Sequence, residues 1–452
     1  MKKAVLWAFL GLAGPGWGGA AYAGPPAPPT EADYAPVNPA EAELGQLLFY
    51  DPVLSGNRNI ACDTCHNPRF GTSDGVSLDI GEGGIGLGPA RHPDPNDMPE
   101  QRVARNAPAL FNLGAKSFTK MFDDGRIEAD PTRPSGLRTP MEDEMVRGFA
   151  SVLSAQAMFP VLAQDEMAGN AAENDVSKLV REGQITGPGG AWEAIAQRVA
   201  AIPAYRQMFA QVYPAIAQGR PIAFTDISNA IAAFVAFEWR SDDSPFDRYL
   251  RHQTSLPAEA MAGMALFYGR AACSSCHSGP FQTDNKFHAM GEPQLGPGKT
   301  ERFETNQRDL GRFRVSNDPA DRYAFRTPSL RNVTETGPWG HAGAHTDLKE
   351  FIRYHADPVA GARRYVEQAV MPQGYDPGAK PDWAAWNDPA ERAAILAAVK
   401  AKPVALSPAD VDAIYAFLQS LKDPEALKGR LGVPKAVPSG LPVDTAAFTP
   451  SE

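Results

Sequence analysis

Two five-residue segments carry the chemistry of this chain. Cys62-Asp63-Thr64-Cys65-His66 and Cys273-Ser274-Ser275-Cys276-His277 repeat one pattern, C-x-x-C-H. Two thiols at that spacing can form thioethers with the vinyl groups of a porphyrin. The adjacent imidazole then ligates the iron from its proximal side, which is the attachment pattern of c-type haem. A thioredoxin-like dithiol explains one C-x-x-C but not a histidine after it, twice. The chain has four cysteines in all, so none is left for a disulfide framework. Two covalent c-type haems are expected: haem 1 on Cys62 and Cys65 with His66 on its iron, haem 2 on Cys273 and Cys276 with His277.

A haem iron takes two axial ligands, and the second separates electron transfer from catalysis. Eight histidines are available, at 66, 92, 252, 277, 288, 341, 345 and 355. His355 stands out. After the cap Thr346-Asp347, residues Leu348, Phe351, Ile352 and His355 fall at i, i+3, i+4 and i+7, so His355 shares the apolar face of a helix. On composition alone it is either an iron ligand or a hydrogen-bonded core histidine.

The elements around these residues read as helices. Ser407-Pro408-Ala409-Asp410 supplies an N-cap, a proline at the first helical position and an acid at the third. Val411, Ile414, Tyr415, Leu418 and Leu421 follow at helical spacing. Residues 41–50, 149–160, 192–216, 225–239 and 258–268 also carry a helical period, and no stretch shows convincing strand-like alternation. Segments 67–108 and 278–340, rich in Gly, Pro and Asn, read as ordered loops around haem edges. The motifs stand 211 residues apart (62 to 273), far enough for one haem per domain. The expected fold is mainly α: two cytochrome c-like haem domains with long ordered loops and a helical insertion at about 127–240. Beyond the haem motif no further repeat is evident. The boundaries are 41–240 for the N-terminal haem domain with its insertion, 241–430 for the C-terminal haem domain, and 431–452 for a tail.

The chain has 452 residues, 43% hydrophobic and 21% charged, which fits a globular protein and excludes a wholly disordered one. Its 41 glycines and 42 prolines favour loops over large sheets. A formal net charge of −10 argues against nucleic-acid binding. At the N-terminus, Lys2 and Lys3 precede a short apolar run from Ala4 to Ala13, and Ala21-Tyr22-Ala23 is a small-x-small cleavage site. Residues 1–23 are therefore expected to be a cleaved signal peptide. The run is broken by Gly14, Pro15 and Gly16 and falls short of the ~20 residues of a membrane span. No later segment is apolar enough to span. Residues 24–40, Pro-rich at first, read as a flexible lead-in.

The chain resembles the bacterial dihaem cytochrome c peroxidase / MauG superfamily, which includes MbnH-type enzymes. The resemblance runs from about 41 to 421. It is carried by LGQLLFYDPVLSGNRNIACDTCH, RNAPALFN (105–112), FDDGR (122–126), QAMFPVLAQDEMAG (156–169), GMALFYGRAACSSCHSGPFQTDNKFH (263–288) and FRTPSLRNVTETGPWGHAG (325–343).

Many of the peroxidases have a removable histidine ligand in the loop after the first haem motif. In Asp79-Ile80-Gly81-Glu82-Gly83 the matching residue is Glu82, which implies an open haem 1 that needs no reductive activation, as in MauG-type enzymes. The family's distal set matches Gln156, Pro160 and Glu166. Taken alone Glu166 is an ordinary surface acid; over an open iron it can take a proton from one peroxide oxygen and return it to the other. Gln156 can orient the peroxide and Pro160 packs over the face. The electron-transfer haem carries a distal Met in the peroxidases and a Tyr in MauG. The matching position, fourteen residues after His341, is His355, so the resemblance implies His277/His355 ligation.

A structural Ca²⁺ is implied between the domains, on Asn106, Thr336 and Pro338, with hard oxygen ligands. The family's Trp before Asp-Gly-Arg is here Asp123. Trp339 could bridge the haems instead, or be a packed core aromatic.

Two functions follow from the resemblance. The first is a periplasmic MauG/MbnH-like enzyme that uses H₂O₂ to form a high-valent dihaem state and oxidises a partner protein. The alternative is a peroxidase that reduces H₂O₂ to water with electrons from a small cytochrome c or cupredoxin. The distal Glu and the absent closing His disfavour a plain electron carrier. Peroxidases of this family often form homodimers.

Overall fold

The structure, a computed structural model, describes residues 24–144, 147–299, 304, 306–378 and 381–444. The expected signal peptide lies outside the described residues.

Six helices frame the two haem motifs: α1 (Pro39–Phe49), α2 (Val152–Gln156), α3 (Phe224–Glu238), α4 (Ala258–Phe267), α5 (Leu348–Ala356) and α6 (Pro408–Gln419). Strands are short. Gly84–Ile85 pairs with His92–Pro93, Lys120–Met121 with Ile127–Ala129 and that with Leu137–Arg138, and Phe287–His288 with Phe325–Arg326. The protein is mainly helical, as its periodicity implies. The expected helix over 192–216 is three pieces, Ala191–Ala200, Pro203–Val212 and Pro214–Ala217. Pro203 and Pro214 lack an N–H and each starts a new helix at its first position. The segment expected to be a helical insertion also opens with strand pairing rather than helix, at Ile127–Ala129 and Leu137–Arg138.

The haem motifs sit in a longer internal repeat that their own five residues do not reveal. Before haem 1, α1 crosses α3; before haem 2, α4 crosses α6. Gly45 lies so close to α3 that a Cβ there would stand 1.8 Å from Ala230 O and 2.9 Å from Phe234 Cβ. Gly263 meets α6 identically, 1.8 Å from Ala413 O and 2.9 Å from Phe417 Cβ. Each crossing thus needs a residue without a side chain. Around the first, Leu44, Leu48, Phe49, Phe234 and Trp239 form a core; around the second, Phe246, Met264, Phe267, Tyr268 and Phe417 do.

Two segments distant in sequence, around Tyr34 and over 430–441, close the first half. Tyr34, expected in a flexible lead-in, is 6% exposed, donates to Asn112 Oδ1 (2.9 Å) and packs edge-on against Phe281 at 5.7 Å. Burying that ring fixes the segment. For the later segment, Glu238 accepts the backbone N–H groups of Arg430, Leu431 and Gly432 (2.9, 2.6 and 2.8 Å), and Asp51 accepts Ser439 Oγ (2.6 Å). Leu431, Val433, Val437 and Leu441 pack on the first core.

Candidate active site

Each haem motif forms one short turn followed by a histidine whose ring is fixed by backbone. His66 Nδ1 lies 3.1 Å from Thr72 O, and His277 Nδ1 lies 3.1 Å from Gln282 O. The carbonyls of Pro108 and Pro328 face the same two rings. An Nδ1–H···O=C bond fixes tautomer and ring orientation and leaves Nε2 as the metal-ligating nitrogen. Burial lowers both pKa values, that of His277 to about 4, which favours the neutral, ligating imidazole. All four cysteines are unpaired. The donor set therefore fits two thioether-linked haems.

The second motif opens into a cavity of about 820 Å³, lined by Cys273, Cys276, His277, Trp339, His341 and His355 among others. His355 lies on α5, as its apolar-face position predicts. Its Nδ1 lies 3.2 Å from Phe351 O, one turn back, so here too Nε2 is the free nitrogen. Burial lowers its pKa, and its charge, when present, depresses that of His277. Glu292, which no motif singled out, joins this cavity: it accepts His341 N (3.0 Å) and His341 Nδ1 (2.9 Å). Burial alone would raise its carboxyl, but the bonds from His341 hold it down at about 2. An isolated Glu in a loop carries no pattern that would have marked it.

Asn106, Thr336 and Pro338 line the same cavity. The Asn106 amide donates to Val76 O (2.7 Å) and Ser77 O (3.2 Å), so its carbonyl oxygen is the end left for a hard cation. Asp123 and Trp339 also line the cavity. Trp339 donates to Val333 O (2.9 Å), and Asp123 O accepts Arg326 N (2.7 Å). Burial raises the Asp123 carboxyl. Beside it, Arg105 forks onto Asp309 (2.7 and 2.9 Å) and reaches Asp124 (2.8 Å), tying the FDDGR segment across the two halves.

The distal set falls in three consecutive turns. Gln156 ends α2, Pro160 starts a 3₁₀ turn to Leu162, and Glu166 sits in a π-helical turn, Gln164–Ala168. The strap after haem 1 runs against that turn: Glu82 N donates to Glu166 O at 3.0 Å. The Glu82 carboxylate is buried and accepts Asn57 Nδ2 and Asn59 Nδ2, both at 2.8 Å. Lys299 also faces the group: burial and the Arg126 charge lower its pKa while Glu166 opposes them.

Residues 39–255 match the model of the di-haem cytochrome c peroxidase family. Across that segment the chain resembles the di-haem cytochrome c peroxidase family. It is 29% identical to the methylamine utilization protein MauG of Methylorubrum extorquens over 321 residues, 71% of this chain and 69% of that one. It is 28% identical to cytochrome c551 peroxidase of Pseudomonas aeruginosa over 324 residues, 72% and 73% of the two chains. Among solved structures, a MauG-like protein associated with microbial copper homeostasis aligns at TM-score 0.56 and 25% identity, covering 92% of this chain and 97% of that one. The diheme peroxidase BthA of Burkholderia thailandensis shares the fold at TM-score 0.54 and 20% identity, covering 87% and 88%. This likeness makes the chain a haem-dependent oxidoreductase, and the di-haem family it matches implies two haems. No helix among the described residues is long and apolar enough to cross a membrane.

Proposed function

We propose that this chain is an exported, periplasmic MauG/MbnH-like enzyme that uses H₂O₂ at haem 1 and oxidises a partner protein. The observation that carries the reading is at the strap: the position that holds a closing histidine in many peroxidases is Glu82, and its carboxylate is committed to Asn57 and Asn59. The two haems would supply the redox chemistry, accepting electrons from the partner and passing them to peroxide. Cys62, Cys65 and His66 would hold haem 1; Cys273, Cys276, His277 and His355 would hold haem 2. Glu166 takes the proton from the near peroxide oxygen and delivers it to the far one, which leaves as water. Gln156 orients the peroxide and Pro160 shapes the face above it. Overall, one H₂O₂, two electrons from the partner protein and two protons yield two waters.

A bis-histidine haem 2 suits this role, because imidazole favours oxidised iron more than the thioether of His/Met ligation does. Asn106, Thr336 and Pro338 would hold a structural Ca²⁺ through oxygen. The alternative, a peroxidase fed by a small cytochrome c or cupredoxin, is supported by the likeness to cytochrome c551 peroxidase, 28% identical against 29% for MauG. Adding H₂O₂ to the fully ferric protein separates the two. A long-lived oxidised species without prior reduction, from a protein with one high-spin and one low-spin ferric signal, is expected. Two low-spin signals with no reaction until one haem is reduced would select the alternative.

A further inference from the structure

We propose that the strap over residues 79–91 positions Glu166, acting through Gly81 and Arg91; the proposal rests on the acid–base reading of Glu166 above. Glu166 occupies a π-helical turn closed by Ala168 N→Ala163 O (3.0 Å) and Gly169 N→Gln164 O (3.3 Å). Such single turns are rare and frequent at functional sites, and the backbone packed against this one bounds where Glu166 can sit.

Gly81 lies against it. A Cβ at Gly81 would stand 2.1 Å from Asp165 O, 2.8 Å from Glu166 O and 2.9 Å from Glu166 Cα. Gly81 is absent from the residues with left-handed φ, so glycine is required here for close approach and not for an unusual backbone angle. The next residue seals the contact, with Glu82 N donating to Glu166 O at 3.0 Å. Farther along the turn, Gly56 N donates to Met167 O (2.8 Å), and a Cβ at Gly56 would stand 2.0 Å from Ala168 O. The turn thus meets bare backbone at two places, Gly81 and Gly56.

Arg91 holds the nearer of the two. It is 2% exposed, and its guanidinium donates to the carbonyls of Ile80, Gly81 (2.5 Å) and Gly86 (2.7 Å). Bonds to Ile80 O and Gly81 O fix the peptide groups on both sides of Gly81. Pairing of Gly84–Ile85 with His92–Pro93 closes the strap as a hairpin that brings Arg91 back onto it. The strap is thereby a fixed wall behind the acid–base group.

Gly81→Ala must push the Asp165–Glu166 backbone away. A misplacement of ~1 Å is enough for roughly 10²-fold loss of rate. Arg91→Gln, with one amide for three carbonyls, should lose less, roughly tenfold. The test is stopped-flow mixing of H₂O₂ with the ferric holoenzyme across pH, for wild type, G81A, R91Q, E166Q and G81A/E166Q. Haem content and the low-spin signal of haem 2 report on folding. The expected result is that G81A and E166Q are both slow, the double variant is no slower than E166Q within about twofold, and G81A distorts the pH profile. That non-additivity places Gly81 upstream of Glu166. If E166Q is slow but G81A reacts at the wild-type rate, or the two losses multiply, the proposal is overturned. An E166Q enzyme at the wild-type rate overturns the reading of Glu166 itself and this proposal with it. Should G81A fail to load haem, R91Q and R91Q/E166Q run the same cycle with the same outcomes.

Discussion

His277 and His355 line one cavity, and each has its Nδ1 engaged by a backbone carbonyl, Gln282 O at 3.1 Å and Phe351 O at 3.2 Å. Both rings therefore offer the same nitrogen, Nε2, to whatever lies between them. His355→Ala is expected to lose the low-spin signal of haem 2 or replace it with that of a water-bound iron. His355→Met should keep six-coordination, raise the potential, and shorten the life of the peroxide-oxidised state. Spectra of the ferric variants with both haems retained decide this; an unchanged low-spin signal in His355→Ala would make His355 a core residue only.

Glu166→Gln preserves the side chain's size and removes its ability to accept and return a proton. Loss of ~10²–10⁴-fold in the rate of peroxide cleavage is expected, with both haems bound. A rapid-mixing rate within a few-fold of wild type would take Glu166 out of the mechanism.

The two crossing glycines make matched predictions. A Cβ at Gly45 or Gly263 would overlap a carbonyl at 1.8 Å, so alanine at either must push the crossing helices apart. Overpacking of this kind costs about 1–3 kcal/mol. Thermal unfolding should report a loss in both variants, with G45A perturbing the haem 1 signal and G263A the haem 2 signal. Equal perturbation of both signals by each variant would refute independent crossings.

Glu292 makes the protein acid-sensitive in a defined window. Its carboxyl sits at about 2 in the folded protein against 4.5 in the reference state, because burial is outweighed by the bonds from His341. A depressed pKa contributes stability that is complete above the unfolded value and lost as pH falls through the folded one. The advantage of wild type over Glu292→Gln in melting temperature should be full at pH 6 and shrink between about pH 4.5 and 2. A difference independent of pH would mean that Glu292 acts through packing alone.

The two C-x-x-C-H turns and the mainly helical class were legible in the chain because they depend on local spacing. Cys62 to His66 and Cys273 to His277 form within one turn, and the period that puts His355 on an apolar face belongs to a single helix. What only the tertiary structure decided is what one segment does to another distant in sequence. Gly45 and Gly263 look like glycines inside helices until α3 and α6 are laid across them. Glu292 has no motif and matters because His341, forty-nine residues later, bonds to it twice. Tyr34 looks like a residue of a loose leader and is fixed by Asn112 and Phe281. Gly81 and Arg91 likewise read as loop residues, and it is the packing of their strap against the turn of Glu166 that gives them a role. Close approach and long-range hydrogen bonding leave no periodic trace in a sequence, since any residue pair can be brought together once the helices have packed.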